Sequence, residues 1–358
     1  MLDTLKVSDF TTFGDVTFDF VPGVNVVIGE NGAGKSHVLK LAYALSASSH
    51  AASKEATAPT KTALQKTVAN KLLGVFRPDN LGRLVRSHRA RGVQGGRAVA
   101  EVQLKFTGGA DPWQFSFSSV ASVEVKFVGD SSPKAFLQAE PIFIPTKEAM
   151  SMFPGFLALY RGRELAIDET YFDLCMALEA APLRGPRLEA IKQLLDPIEE
   201  KLGGTVIRKG DSFYLNNDQG TTEMPLVAEG VRKIATLAHL LRNGALTRRG
   251  IVFWDEPESN LNPRLIRAVA AMLMNLAAQG VQVILATHSF FLIKELELLR
   301  AMSDKGKETS VRFFTLGKGD ANGPVFEQGD RLSDITNIVA LDEELAQYDR
   351  ELQGTKDA

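Results

Sequence analysis

Between residues 101 and 127 apolar and polar positions alternate with a period of two. Val102, Leu104 and Phe106 oppose Glu101, Gln103 and Lys105; Trp113, Phe115 and Phe117 oppose Gln114, Ser116 and Ser118; Val123, Val125 and Phe127 oppose Glu124 and Lys126. Successive side chains of a strand point to opposite faces, so the alternation predicts an antiparallel sheet with one wet face, joined through the short loops TGGADP and SSVAS. GIVFWDEP and VQVILATHS are instead unbroken apolar runs, the pattern of strands covered on both faces. LKVSDF, AEPIFIP and VTFDFVPGVNVVIG read as further strands, the last ending in a glycine loop.

Helical periodicity takes over elsewhere. KSHVLKLAYALSA follows the glycine loop, and EGVRKIATLAHLLRNG sets Ile234, Leu237, Ala238 and Leu241 on one face with Gly244 as a stop. PRLIRAVAAMLMNLAAQG is a third helix, and the chain is helical from about Lys147 to Leu202 before GTVIRKGDSFYLNND turns as a hairpin around Lys209, Gly210 and Asp211. No fixed-period repeat is present in the sequence. The expected organisation is α/β, with a mixed core sheet and flanking helices drawn from residues 1–48 and 226–340. An insertion at 49–97, an antiparallel β subdomain at 98–146, a helical subdomain with a hairpin at 147–225 and an acidic tail at 341–358 complete it.

Composition narrows the class. A chain of 358 residues, 44% apolar and 23% charged, can bury a large core without metals or staples. Cys175 is the only cysteine, which excludes an internal disulfide and fits a reducing cytoplasm. The longest weakly apolar run, AVAAMLMNLAA, is interrupted by Asn275 and too short for a bilayer, and the N-terminus has no leader pattern, so a cytoplasmic chain with no membrane partner is expected. Charge is uneven: residues 51–100 carry ten Lys and Arg against Glu55 and Asp79. That stretch is rich in Ser, Ala, Thr and Gly, and reads either as a partly mobile solvated loop or as a contact to the DNA backbone. In the second case the candidate residues are Arg83, Arg86, Arg89 and Arg91, with Lys61, Lys66, Lys71 and Arg77 beside them.

The chemistry concentrates in three places. VVIGENGAGKSHVLK fits G-x-x-x-x-G-K-[ST] through Gly29, Gly34, Lys35 and Ser36, after a strand and before a helix. In that setting backbone N–H groups of Asn31, Gly32, Ala33, Gly34 and His37 wrap phosphate oxygens, Lys35 neutralises the β and γ charges of ATP, and the Ser36 hydroxyl reaches Mg²⁺. At the tip of the GIVFWDEP strand, Asp255 is placed to hold Mg²⁺ and Glu256 to orient or deprotonate the attacking water. His288 ends the next strand, where its imidazole reaches the γ-phosphate.

In order, the phosphate loop, VAEGVRK, VFWDEPESNLNP and ILATHS resemble the ATPase head of the ABC superfamily, in its stand-alone SMC/RecF/OLD-like branch. The resemblance implies an ABC-type P-loop ATPase fold and a homodimer, or a higher even oligomer, closed through the ATP sites. Gly230 is then a contact to the γ-phosphate of the opposing subunit, and Ser259 in SNLN lies in the loop that crosses between sites. Ala228 stands where the family has a signature Ser, which implies slow basal turnover. The family's Gln after the strand is missing, and Lys147 or Glu148 takes that neighbourhood. Similar chains act as ATP-driven sensors in antiphage defence or DNA transactions, so the resemblance implies sensing of DNA or phage components and control of a partner effector; only 58 residues follow Arg300, so that effector, a nuclease or toxin, is expected to be a separate chain. An ATP-stabilised scaffold that sequesters a toxin and a transporter motor are the alternatives.

Overall fold

The computed structural model describes residues 1–358 except 58, 87–97, 110–111, 130–135, 163–164, 303–308, 321–322 and 357–358. Arg89 and Arg91 lie outside the described residues. Three strands open the chain, β1 (Leu2–Phe10), β2 (Phe13–Asp19) and β3 (Val24–Gly29), followed by helices α1 (Lys35–Ser53) and α2 (Lys61–Phe76). Next come β4 (Val99–Phe106), β5 (Trp113–Ser118), β6 (Lys126–Phe127) and β7 (Ile142–Ile144). Helices α3 (Phe156–Gly162), α4 (Glu169–Glu179), α5 (Pro186–Glu189) and α6 (Lys192–Leu202) lead into β8 (Thr205–Lys209), β9 (Ser212–Asn217) and β10 (Gly220–Glu223). The remainder is α7 (Glu229–Arg242), β11 (Ile251–Asp255), α8 (Pro263–Ala278), β12 (Gln282–Thr287), α9 (Phe290–Met302), β13 (Val311–Asp320), β14 (Gly323–Gly329) and α10 (Val339–Lys356).

The central sheet runs β14-β13-β3-β12-β11-β7, parallel throughout except for the antiparallel edge strand β14. Its inner strands are apolar over most of their length because each face meets a different core. Val26, Ile28, Val252, Trp254, Val283 and Leu285 face a core shared with α7 and α8. Val27, Ile251, Phe253, Ile284 and Ala286 face a second core shared with α1 and the antiparallel sheet. The continuous runs thus conceal an ordinary period of two.

The antiparallel sheet has the order β2-β1-β4-β5-β6. Its buried stripe includes Val102, Leu104, Phe106, Trp113, Phe115 and Phe117, as the alternation required. The third run is shorter than its pattern: only Lys126 and Phe127 pair, and Val123 is exposed. VTFDFVPGVNVVIG is two strands rather than one. β2 pairs with β1 in the antiparallel sheet, the chain turns at Pro22, and β3 enters the central sheet. Strand pairing therefore crosses the boundary expected between residues 1–48 and 98–146.

The basic stretch also differs from expectation where it is described. Thr60 caps α2 by accepting from the Ala63 amide, and Leu64, Val68, Leu72 and Val75 repeat at helical spacing into the second core. Residues 61–76 are a packed amphipathic helix whose apolar stripe is masked by the Lys, Ala and Thr around it. Lys71 is not available to DNA: its ammonium bonds Glu169 Oε1 at 2.8 Å and Asp173 Oδ2 at 2.7 Å. Lys40 of α1 bonds Asp168, the cap of α4, at 2.8 Å, so the helix after the glycine loop is tied to the helical subdomain. The hairpin β8–β9 turns at Gly210 and Asp211 as read, with β10 added at its edge. The acidic tail is helical over Val339–Lys356.

Candidate active site

β3 delivers the chain to Gly29 at the end of the central sheet, and α1 begins at Lys35 with Gly34 as its cap. Gly34 is left-handed (φ 101°), and a Cβ there would lie 2.6 Å from Thr12 Oγ1 and 2.8 Å from the Phe13 ring. Both the dihedral and the close packing demand glycine, which fixes where the loop turns into the helix. Asn31 and Gly32 are exposed at the loop tip, and Ala33 and Gly34 are half-buried. Lys35 folds back under the loop, its ammonium donating to the Gly29 carbonyl at 2.8 Å and the Glu30 carbonyl at 3.0 Å. Burial lowers its pKa, against the raising influence of Glu256, Asp255, Glu258 and Glu30. Among the described residues the cation's direct hydrogen-bond partners beneath the open loop are neutral carbonyls, which suits it to an anionic ligand.

Asp255 closes β11 beside this loop. Burial raises its pKa, and a hydrogen bond from the Ser36 hydroxyl opposes that shift. Its Oδ1 is buried without a hydrogen-bond partner among the described residues. A buried carboxylate oxygen left over next to a hydroxyl fits a divalent cation held by Ser36 and Asp255 together. Glu256 follows in a left-handed conformation (φ 50°) with its amide donating to the Ala286 carbonyl of β12 at 2.9 Å. Its carboxylate lies 3.2 Å from His288 Nδ1, so the acid at one strand tip and the imidazole at the next meet.

Two family models match the chain. One, described as an AAA domain, matches residues 4–140; the other, described as "AAA domain, putative AbiEii toxin, Type IV TA system", matches residues 158–294. Among solved structures, an Smc head bound to the C-winged helix domain of ScpA is similar at 12% identity and TM-score 0.57, covering 93% of this chain and 98% of that one. An Smc head domain with an extended coiled coil, bound to the C-terminal domain of ScpA derived from Pyrococcus furiosus, is similar at 10% identity and TM-score 0.51, covering 98% and 99%. The chain is a P-loop ATPase of the ABC-type head fold.

Glu258 of the site is not evident from the sequence motifs, and the structure decides between Lys147 and Glu148. Glu258 is buried and accepts from Thr287 Oγ1 at 2.6 Å and from the His288 amide at 3.3 Å. Burial raises its pKa, opposed first by the Thr287 bond. It fixes the backbone from which His288 reaches Glu256; its signal was an acid two residues beyond the DE pair on a turn that must fold back onto β12. Glu148, after β7, lies 2.9 Å from Arg232 Nε on α7 and also accepts from the Ser151 amide. The loop left open by the missing Gln thus carries an acid that faces the signature helix.

Not every predicted position converges on the phosphate loop. The His37 ring packs edge-on against Phe76 at 5.8 Å, and burial lowers its pKa, so the side chain belongs to the α1–α2 contact. Its amide bonds the Gly34 carbonyl as part of the helix. Ser259 Oγ turns inward, donating to the Glu256 carbonyl at 3.0 Å. Gly230 is buried in its own chain, where a Cβ would meet Leu261 Cδ2 at 2.4 Å and the Asn260 carbonyl at 2.8 Å. Ala228 before it is exposed and caps α7 with no side-chain hydrogen bond. Arg83 is exposed on a turn beyond α2, and the Arg86 amide bonds the Asp9 carbonyl. No described helix is long and apolar enough to cross a membrane.

Proposed function

We propose that the ATPase dimerises around ATP and that the closed state signals to a separate effector chain, a nuclease or toxin, in antiphage defence. The observation that carries the dimer is the start of α7. Its cap, Ala228, is exposed and makes no side-chain hydrogen bond to the helix, which leaves the helix start to be met by anionic phosphate of an opposing subunit. The contact would run through Ala228 to Gly230. In each site Lys35 neutralises phosphate charge, the loop amides orient the phosphates, Glu256 takes the proton of the attacking water, and His288 holds Glu256 in place. Ser36 and Asp255 would hold Mg²⁺, which when bound supplies positive charge to the phosphate oxygens.

The toxin–antitoxin description of the family matched over residues 158–294 supports an effector circuit, and the ScpA-bound Smc heads support a head that docks other proteins. Sedimentation of a hydrolysis-dead Glu256→Gln chain tests the dimer. It is expected to double in mass with saturating ATP at micromolar concentration, and a species that stays monomeric sinks the closed-dimer reading.

Ala228→Ser restores the hydroxyl that a signature helix of this kind uses. A hydrogen bond to a charged group is worth roughly 1.5–3 kcal/mol, so basal hydrolysis is expected to rise by about tenfold. An unchanged steady-state rate would mean that the α7 amides already saturate the phosphate.

DNA is the input we assign to the basic stretch, on the exposure of Lys66, Arg77 and Arg83. Duplex affinity should then be independent of sequence, with a log–log salt slope of about −4 to −5 for four to six phosphates engaged. Reversing Arg83, Arg86, Arg89 and Arg91 to Glu should flatten that slope while ATP affinity holds. Equal DNA affinity in both proteins across a salt series removes DNA from the function.

A further inference from the structure

Lys233 is only 1% exposed, on the buried face of α7 three residues beyond Gly230. Among the described residues its ammonium has no hydrogen bond to a carboxylate. It donates instead to the Ser259 carbonyl at 3.0 Å, to the Glu256 carbonyl at 3.3 Å and to Ser259 Oγ. Three N–H groups thus meet three oxygens of one turn. Burial lowers its pKa, with Glu229, Glu258, Glu256 and Asp255 raising it from farther away. A buried cation without an adjacent counter-charge is costly, and an apolar side chain would fill a helix position of this kind at no such cost.

The turn explains the expense. Glu256 and Asn260 both adopt left-handed backbone (φ 50° and 63°), unusual for residues other than glycine and each costing energy that the surroundings must offset. That conformation turns the 256 and 259 carbonyls inward, where Lys233 donates to both and the Ser259 amide and hydroxyl donate to the first, so that Lys233 is the donor that reaches them from outside the turn among the described residues. It also sets the Glu256 carboxylate beside His288. One helical turn earlier, Gly230 is in contact with Asn260 and Leu261, so the same helix supports both ends of the turn.

We propose that Lys233 is a positioning residue for hydrolysis: it holds the 256–260 turn so that Glu256 faces the reacting water, and it binds that turn to the helix that presents Ala228 to an opposing subunit. The proposal rests on Glu256 being the group that activates water. Its motion would be shared. A shift of α7 on dimer closure displaces the Glu256 and Ser259 carbonyls with it, so the helix start that meets one nucleotide adjusts the acid that serves the other.

The test is a double-mutant cycle on ATP hydrolysis, with equilibrium ATP affinity measured alongside. Lys233→Met is expected to lower kcat by about thirtyfold or more while ATP affinity stays within about threefold, because the phosphate loop is untouched. Lys233→Met combined with Glu256→Gln should be no slower than Glu256→Gln alone, since both remove one step. A native kcat in Lys233→Met, or losses that multiply in the double variant, overturns the proposal, because a merely structural lysine would add its own defect to any background. Should Lys233→Met fail to fold, Lys233→Gln keeps a donor without burying a charge, and the same criteria apply to it. Glu256→Gln at the native rate would instead remove the water-activation reading itself, whereas a slow Glu256→Gln beside a native-rate Lys233→Met removes only the role of Lys233.

Discussion

Glu256→Gln is expected to bind ATP as tightly as the native chain and to hydrolyse it about 10²- to 10⁴-fold more slowly, the range a positioned general base supplies. The backbone at 256 is anchored by its amide to the Ala286 carbonyl and by its carbonyl to Lys233, neither of which the substitution touches. The amide side chain can keep the contact to His288 Nδ1 now made at 3.2 Å, so what it loses is the proton acceptor. Phosphate release at saturating nucleotide, set against a binding isotherm, checks both halves. Glu258 cannot stand in for it. Its Oε1 accepts from Thr287 and the His288 amide and its Oε2 is buried, so the carboxylate is turned into the protein and away from the open loop. A rate within about threefold of native would place water activation outside this acid and return the chain to a scaffold that uses ATP as a structural ligand.

Lys35→Ala is expected to abolish measurable ATP binding at concentrations that saturate the native protein. Each charged hydrogen bond to phosphate contributes about 1.5–3 kcal/mol, so losing contacts to both the β and γ groups weakens binding by roughly 10²- to 10⁴-fold. The folded state should tolerate the change. The ammonium's direct bonds are to the Gly29 and Glu30 carbonyls at the mouth of the loop, and its burial already works against its charge. A thermal melt near native together with a lost binding isotherm is therefore the expected pair of results. Affinity within about threefold of native would show that the glycine loop does not hold phosphate.

Under the proposed dimer closure these substitutions diverge in assembly. Glu256→Gln should accumulate as the ATP-bound dimer, while Lys35→Ala should stay monomeric with or without nucleotide, because it never acquires the phosphate that would join two chains. An effector that senses the closed state would then be bound or released continuously by the first variant and ignored by the second. Pull-down of the effector under each condition reads that difference directly.

Much of the site was legible along the chain because its parts are contiguous. The phosphate loop is a strand end, a turn and a helix start within a dozen residues, and Gly34 is demanded there by its own φ as well as by Thr12 and Phe13. Asp255 and Glu256 announce themselves as acids ending an apolar strand, and the alternation over 101–117 gave β4 and β5 their buried faces before any fold was known. Less was legible where composition hid periodicity. The apolar stripe of α2 lies among Lys, Thr and Ala and read as a loose basic segment, although Leu64, Val68, Leu72 and Val75 hold a helical stride. Likewise β13 carried no motif, yet it is the strand that flanks β3 opposite β12.

The sequence by itself determined what the chain can hold and cleave, since a phosphate loop and its acids depend on dihedrals and side chains within single short segments. Only the tertiary structure decided how those parts are held. Thr287 under Glu258, Lys233 under the 256–259 carbonyls and Glu148 against Arg232 join positions that are far apart along the chain. Sheet order and helix packing bring them together, and no local periodicity encodes either. A buried ammonium at a core stride looks like an error in a helical pattern until the strained turn beneath it is seen. Its physical reason is that inward carbonyls must be bonded, and here a neighbouring helix supplies the donor.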